Sequence, residues 1–463
     1  MTGAAQPEVC LVAGALAIVM VAGMWLSGPI RVFLIAQSAH WALSYVARPV
    51  VLLTVQPEPH YGDNVPDPRL ADIGYDHGIA AVLQPVVFGL WFYAGLVVAY
   101  VIWSRLRDRD PERRARDDHP IVPFAGDPVF VRTLCVLYAI GTLGRLAAVA
   151  TGNNGRAGEL ESPNPIINLI TILATLGAVG LIVYLRSDNP RTTVLIIGAL
   201  TFGELLWTAA VQSKTPIMGA ALAIAVRCAM TGWTRVKVVA VLIITVLGIG
   251  GFGALQGLKA TEATKTEAAV ADSVYPEALR PFLSLLRRFD GLEAATDAYY
   301  AGPHSWLTPS EVLRHAVESL IPTQLLGAEK FRSGAAWAEQ VRGGSVDMSK
   351  VSVSLAEGNI NEGYVLGGYP GIALGVSITF VLLLIWSRSL YSRMVPMPVF
   401  GLALIEVPVL FERGVLGTVE TLGKYLQAMV LVWITYVLIE EYRRRTALPA
   451  LPTAGEARAG QWV

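Results

Sequence analysis

Apolar residues run along this chain in long blocks separated by short polar or basic turns. A helix that crosses a bilayer needs about 20 mainly apolar residues. Blocks of that size fall at roughly 9–27, 30–53, 79–103, 128–149, 165–185, 192–211, 215–231, 237–256, 365–386, 395–411 and 425–440. The pattern predicts an all-α, polytopic membrane protein with about 11 transmembrane helices. The second block is the most broken, because Arg31, His40 and Arg48 interrupt it.

One polar interval differs from the rest. Residues 257–364 separate the eighth and ninth blocks, and a connection of that length is usually functional or carries structure of its own. Leu279, Phe282, Leu283, Leu286, Phe289 and Leu292 recur at three- and four-residue spacing, which predicts one amphipathic helix over 276–301. Thr308-Pro309-Ser310-Glu311 reads as a capping box with proline at the first helical position. Leu313, Ala316, Val317, Leu320 and Ile321 continue that helix up to Pro322. Two amphipathic helices lying on the membrane surface account for the interval.

Composition agrees with the blocks. The chain of 463 residues is 54% hydrophobic and 16% charged, whereas a soluble domain carries about 25% charge. Lys and Arg balance Asp and Glu at 36 each, so no basic excess points to nucleic acid. Cys10, Cys135 and Cys228 all lie in apolar stretches, without metal-ligand or disulfide-framework spacing. The N-terminal MTGAAQPEV lacks a basic region, so the first block is expected to be a retained helix and not a cleaved signal.

The charge that matters is how loops differ. Arg105, Arg107, Arg109, Arg113, Arg114 and Arg116 crowd the linker 104–127; Arg186, Arg191, Arg235, Lys237, Arg388, Arg393 and Arg443 to Arg445 follow later blocks. With eleven spans these all fall on one side, and basic residues mark the cytoplasmic side. The expected division is therefore spans one to eight over 1–256, an extracytoplasmic segment over 257–364, spans nine to eleven over 365–442, and a cytoplasmic tail over 443–463. No internal repeat of the transporter type is visible.

Cations on the outer side then become the candidate chemistry. They are Arg145 and Arg156 near the end of the fourth block, Lys214 in VQSKTP, Arg280, Arg287 and Arg288 on the first loop helix, Lys330, Arg332 and Arg342 after Pro322, and Arg413 and Lys424 in the last outer turn. Arg offers a planar fork of donors and Lys a point charge, so a converging set suits a pyrophosphate. The alternative is snorkelling to headgroups or pairing with Asp290, Glu293 and Glu339. Glu204 and Glu406 lie inside blocks, where ionisable groups are either functional or hydrogen-bonded between helices. Glu362, in EGNINEGYVLGGYPGIALG, is a candidate general base for a hydroxyl; its alternative role is a carboxylate at the N-terminus of the ninth span. His304 and His315 lie in the long interval, and His315 is a second acid–base candidate or an interface residue. No HExxH, CxxC, phosphate-binding glycine loop or Asp-rich box occurs, so no metal or cofactor is implied.

Several segments in order resemble a known family: SK in the short turn before a span with a basic end, LLRRFDGLEAATDAYYAG, LIPTQLLGAEKF, and NEGYVLGGYPGIALG. Together they resemble the Wzy-type oligosaccharide repeat-unit polymerases, the O-antigen polymerase-like glycosyltransferases of the GT-C class. Lys214, Arg287, Arg288, Lys330, Glu362, Gly368 and Gly371 occupy matching places over residues 130–386. Thr323 and Phe331 stand where the family has arginine and proline. Arg332 with Gly343, and Arg280 with Gly291, match the R-x10-G pattern of such polymerases. The resemblance implies a bacterial inner-membrane enzyme that joins polyprenyl-diphosphate-linked oligosaccharide donor and acceptor on the outer face. It also implies membrane lipids and envelope-assembly proteins as partners, outer cations on the diphosphate, a carboxylate for the acceptor hydroxyl, and no metal. A glycan ligase and a lipid-linked oligosaccharide flippase are the alternative readings.

Overall fold

In a computed structural model, residues 3–59, 65–107, 122–152, 164–211, 213, 215–239, 241, 272–287, 289–322, 326, 330–343, 357–406 and 413–447 are described. Among them every regular element is helical. Seven helices are long and apolar enough to cross a membrane: α1 (Gln6–Met24), α5 (Tyr75–Arg107), α6 (Pro128–Ala150), α7 (Pro165–Tyr184), α8 (Pro190–Val211), α14 (Asn359–Ser389) and α16 (Val415–Ala447). Two shorter apolar helices, α9 (Thr215–Met230) and α15 (Pro396–Glu406), match further blocks. This is the architecture of a multi-pass membrane protein. Leu143, Leu146, Val194, Leu195 and Phe202 stay exposed on its surface, as residues facing lipid do.

The second block is helical from Pro29 to Val55 but irregular: α2 (Pro29–Ala42) and α3 (Arg48–Val55) are joined by a π-helical turn, Leu43–Ala47. The turn lets Arg48 enter the protein, where it is fully buried. The eighth block, 237–256, lies almost entirely outside the described residues, as does most of the Arg-rich linker.

Proline with a polar residue before it marks many helix starts. Asp127 accepts hydrogen bonds from the Val129 and Phe130 amides ahead of α6, and Asn164 from the Ile166 amide ahead of α7. Each pairing satisfies an orphan amide, while proline fills a position that needs none. Helices α6 and α7 then pack closely, since a Cβ on Gly141 would overlap the Ala174 backbone. Backbone approach of this kind drives association where lipid supplies no hydrophobic force. Around this pair sit α8, α9, α15 and α16, while α1, α2, α5 and α14 form a neighbouring group.

The long interval is not one amphipathic helix followed by another. The first stretch divides into α10 (Arg280–Leu286) and α11 (Gly291–Ala301). The break turns Phe289 edge-on to His40, ring centroids 4.9 Å apart, and seats Gly291 against Ser44, which lies 2.8 Å from where a Cβ would stand. The second helix, α12 (Pro309–Leu320), forms with the expected capping box. It exposes Leu313, Val317 and Leu320 and packs its end on α16. A short α4 (Pro68–Asp72) and α13 (Ser333–Ala336), the latter followed by a π turn at Trp337–Val341, complete the described elements.

Helix α14 begins earlier than hydropathy suggests and is broken at Gly367–Gly368, where Gly368 has φ +60 and ψ −146. That left-handed backbone favours glycine, and Pro370 restarts the helix where its missing amide costs nothing. The arm 359–366 folds back on the long arm 369–389. Asn359 donates to Thr379 Oγ1, twenty positions away, and a Cβ on Gly363 would stand 2.6 Å from the Gly371 carbonyl. In a straight helix residues twenty apart are separated by about 30 Å, so α14 is a helical hairpin.

Candidate functional site

The folded-back arm carries the amides and carboxylate of the NINEG segment into the protein. Asn359, Asn361 and Glu362 are all buried. Asn361 donates to Tyr45 Oη at 3.2 Å, the Glu357 carbonyl at 2.9 Å and the Gly291 carbonyl at 3.4 Å. Glu362 accepts from the amides of Val415 and Leu416, the latter at 3.1 Å. These are orphan amides at the start of α16, and a carboxylate there is favoured by the helix dipole. The expected dipole partner was Glu362's own span. The observed one is the last helix, 53 positions further on.

Glu357 lies just before the arm and behaves differently. It is 1% exposed, and neither carboxylate oxygen has a hydrogen-bond partner. The buried Ser333 hydroxyl faces it, and it too falls short of hydrogen-bond geometry. Burial pushes the Glu357 carboxyl above the ordinary carboxylate range, with its own backbone amide, Arg413 and the Ser333 hydroxyl pulling it back and Glu420 adding to the rise. Glu362 is within electrostatic reach of it.

Cations gather on the same side. Lys424 pairs with Glu420 at 3.0 Å, and Arg413 and Lys330 both act on Glu420. Lys330 donates to the Ser319 carbonyl at 2.9 Å, and burial, with Lys424 nearby, lowers its pKa. His315 stacks on Phe331 at 4.1 Å and sits 3.3 Å from Glu318, at the edge of this region.

A second cluster joins the interval to the helices. Asp297, fully buried, accepts from Arg69 at 2.6 Å, from Arg342 at 2.9 Å and from Trp337 Nε1 at 3.2 Å. Arg342 also meets Glu293 at 2.8 Å, and Glu293 lies 3.6 Å from Arg48. Arg69 completes the set with Asp67 at 2.7 Å. Three guanidinium groups thus face three carboxylates. Burial alone would lower the Arg342 pKa, but Glu293 and Asp297 outweigh it and raise it; burial raises Glu293.

A third site lies within the helices. Arg145 on α6 forms a two-pronged pair with Glu204 on α8, at 2.7 and 3.0 Å, and bonds Thr175 on α7. Its guanidinium lies 4.9 Å from the centre of the Trp207 ring. Three spans are thereby tied through one side chain.

The candidate residues therefore separate. Glu362 meets the start of α16 and Lys330 lies within reach of Glu420 and Lys424 further along it, while Arg342 and Arg145 are engaged elsewhere by carboxylates. Arg280 reaches the Tyr275 and Ser273 carbonyls, and Arg287 pairs with Asp272 at 2.6 Å; they share a face, and residues 272–275 cover it. Arg332 stands at the N-cap of α13. Lys214, Arg156 and Arg288 lie outside the described residues, and nothing is described of the Glu406 side chain. Glu357, Ser333, Arg48, Arg69 and Asp297 are the residues that spacing did not single out. No group of three His, Cys, Asp or Glu side chains suited to a metal occurs among the described residues.

The chain matches no protein-family model, no curated protein and no solved structure.

Proposed function

We propose that this chain is a membrane glycosyltransferase that lengthens polyprenyl-diphosphate-linked oligosaccharides. The observation that carries the reading is the gathering of Lys330, Arg413 and Lys424 around Glu420, beside the amide end of α16. Such cations suit a departing diphosphate, and the buried carboxylates nearby suit an acceptor hydroxyl. The ordered resemblance to Wzy-type polymerases supports the same chemistry. In this reading the reaction takes place on the outer face of a bacterial cytoplasmic membrane, with the C-terminus cytoplasmic. The growing chain is the donor, and a sugar hydroxyl of the next lipid-linked repeat attacks opposite the diphosphate, inverting the anomeric carbon. Arg145, Arg280, Arg287 and Arg342, each engaged within the protein, shape the site and leave the donor to the cations near α16.

The test uses cells that lack the chain. They are expected to accumulate single-repeat lipid-linked oligosaccharide and to lose long glycan. Adding the purified protein in detergent to their lipid extract should regenerate a ladder of lengths on the same lipid. An unchanged lipid-linked pool overturns the reading. A finished glycan moved to a different acceptor would make the protein a ligase instead.

A further inference from the structure

Two buried carboxylates lie near the start of α16, and they are not equivalent. Glu362 has both oxygens bonded to backbone amides. A carboxylate used in this way holds a helix end and has little capacity left for a substrate proton. Glu357 has the opposite character. Both of its oxygens are buried without a partner at hydrogen-bond geometry, and the Ser333 hydroxyl that faces it falls short of that geometry too. An unpartnered buried charge costs several kcal/mol, so such a group persists where something else completes it. The neighbours limit what that is. Arg413 bears on Glu357 with positive charge, and Glu420 and Glu362 with negative. An anion seated directly on Glu357 would meet its charge and those of Glu362 and Glu420, away from the Lys330 and Lys424 ammonium groups. A neutral hydroxyl inserted between the two, donating to Glu357 and accepting from Ser333, gives each a full hydrogen bond in place of their loose mutual contact.

Resting on the glycan-transfer reading, we infer that Glu357, and not Glu362, is the general base that binds and deprotonates the acceptor sugar hydroxyl, with Ser333 orienting it. The step balances within the reactants. The acceptor oxygen bonds to the donor's anomeric carbon. The bond from that carbon to the diphosphate oxygen breaks, with its electron pair going to the diphosphate. The hydroxyl proton passes to the Glu357 carboxylate and then to water. Burial of Glu357 helps it hold the proton as the new bond forms. Arg413 keeps the ionised form accessible beforehand.

The experiment compares E357Q, E357D, S333A and E362Q in the extract assay, with thermal melting as a control for folding. General-base catalysis contributes about 10²–10⁴-fold, so E357Q is expected to lose about that much rate while melting at or above the wild-type temperature. E357D should keep a measurable fraction, and S333A should raise the acceptor concentration needed more than it lowers the maximal rate. E362Q should lower the melting temperature more than the rate of the surviving folded fraction. Wild-type rate should also fall on acidification, from a pH above the ordinary carboxylate value of 4.5. Polymerisation by E357Q within threefold of wild type overturns the inference. So does a wild-type profile with no acid limb, a measurement that stands even if E357Q fails to fold. A wild-type protein that makes no ladder would overturn the glycan-transfer reading itself.

Discussion

The Glu362 carboxylate sits on the amide of Leu416 at 3.1 Å, closing the first turn of the last helix with a side chain from the folded-back arm of α14. Gly414 makes the approach possible, because a Cβ there would overlap the carboxyl group. Ala at 414 must push Glu362 off its amides, leaving a buried carboxylate and buried donors unsatisfied. Loss of such a cap costs about 1–2 kcal/mol. G414A should therefore melt several degrees below wild type in detergent. An unchanged melting temperature would mean that the cap contributes nothing.

Arg145 and Glu204 should behave as a unit. Removing one partner of a buried pair costs about 3–5 kcal/mol, because the other charge is left uncompensated. R145A and E204A are each expected to express poorly, whereas R145M/E204M should recover most of the lost stability. The double-mutant cycle would then show strong coupling. Additive losses in melting temperature would rule the pair out as a structural unit. A stable but inactive R145A would return Arg145 to substrate binding.

Asp297 holds Arg69, Arg342 and Trp337 together. D297A removes their shared acceptor and should cost about 3 kcal/mol. The effect should be local first, since α11 and the turn 337–341 lose their tie to α4. Limited proteolysis should cut D297A faster than wild type between residues 272 and 343. The surface change E318Q serves as the control, and equal cleavage of D297A and wild type would contradict the tie.

Glu357 should set a pH dependence of stability. Its folded pKa is raised above 4.5, chiefly by burial. The folded protein therefore holds this proton to higher pH than the unfolded chain does. The stability of the neutral form is fully present below about 4.5 and is lost as pH rises through the folded value. Gln at 357 does not titrate. The melting temperature of E357Q should exceed that of wild type by a margin that grows from pH 4.5 to pH 8. A margin independent of pH would show that Glu357 does not titrate in this range.

Some of this was readable along the chain. The apolar blocks matched by the seven long helices and the Thr308–Glu311 capping box depend on neighbours a few positions apart, and they appear where the pattern places them. Arg145, Glu204 and Glu362 stood out because charges inside apolar stretches are rare. Other features were hidden for a physical reason. The spacing of Leu and Phe continues unbroken across 276–301, yet the chain breaks there because Phe289 and Gly291 find His40 and Ser44, about 250 residues earlier. Glu357 gave no signal at all. In sequence it is one polar residue of a polar interval, and only packing removes it from water.

Sequence by itself determined that this is a helical, multi-pass membrane protein, and it marked a short set of unusual charges. That much is local, because the transfer of a segment into hydrocarbon depends on its own composition and length. Tertiary structure alone decided which charges answer each other: Arg145 to Glu204, Arg342 to Asp297, Glu362 to the start of α16, and Glu357 to the charge of Arg413 without an ion pair. Those pairings span up to 59 positions within the bundle and 228 between Arg69 and Asp297. They are set by which helix faces meet, and no periodicity along the chain records that.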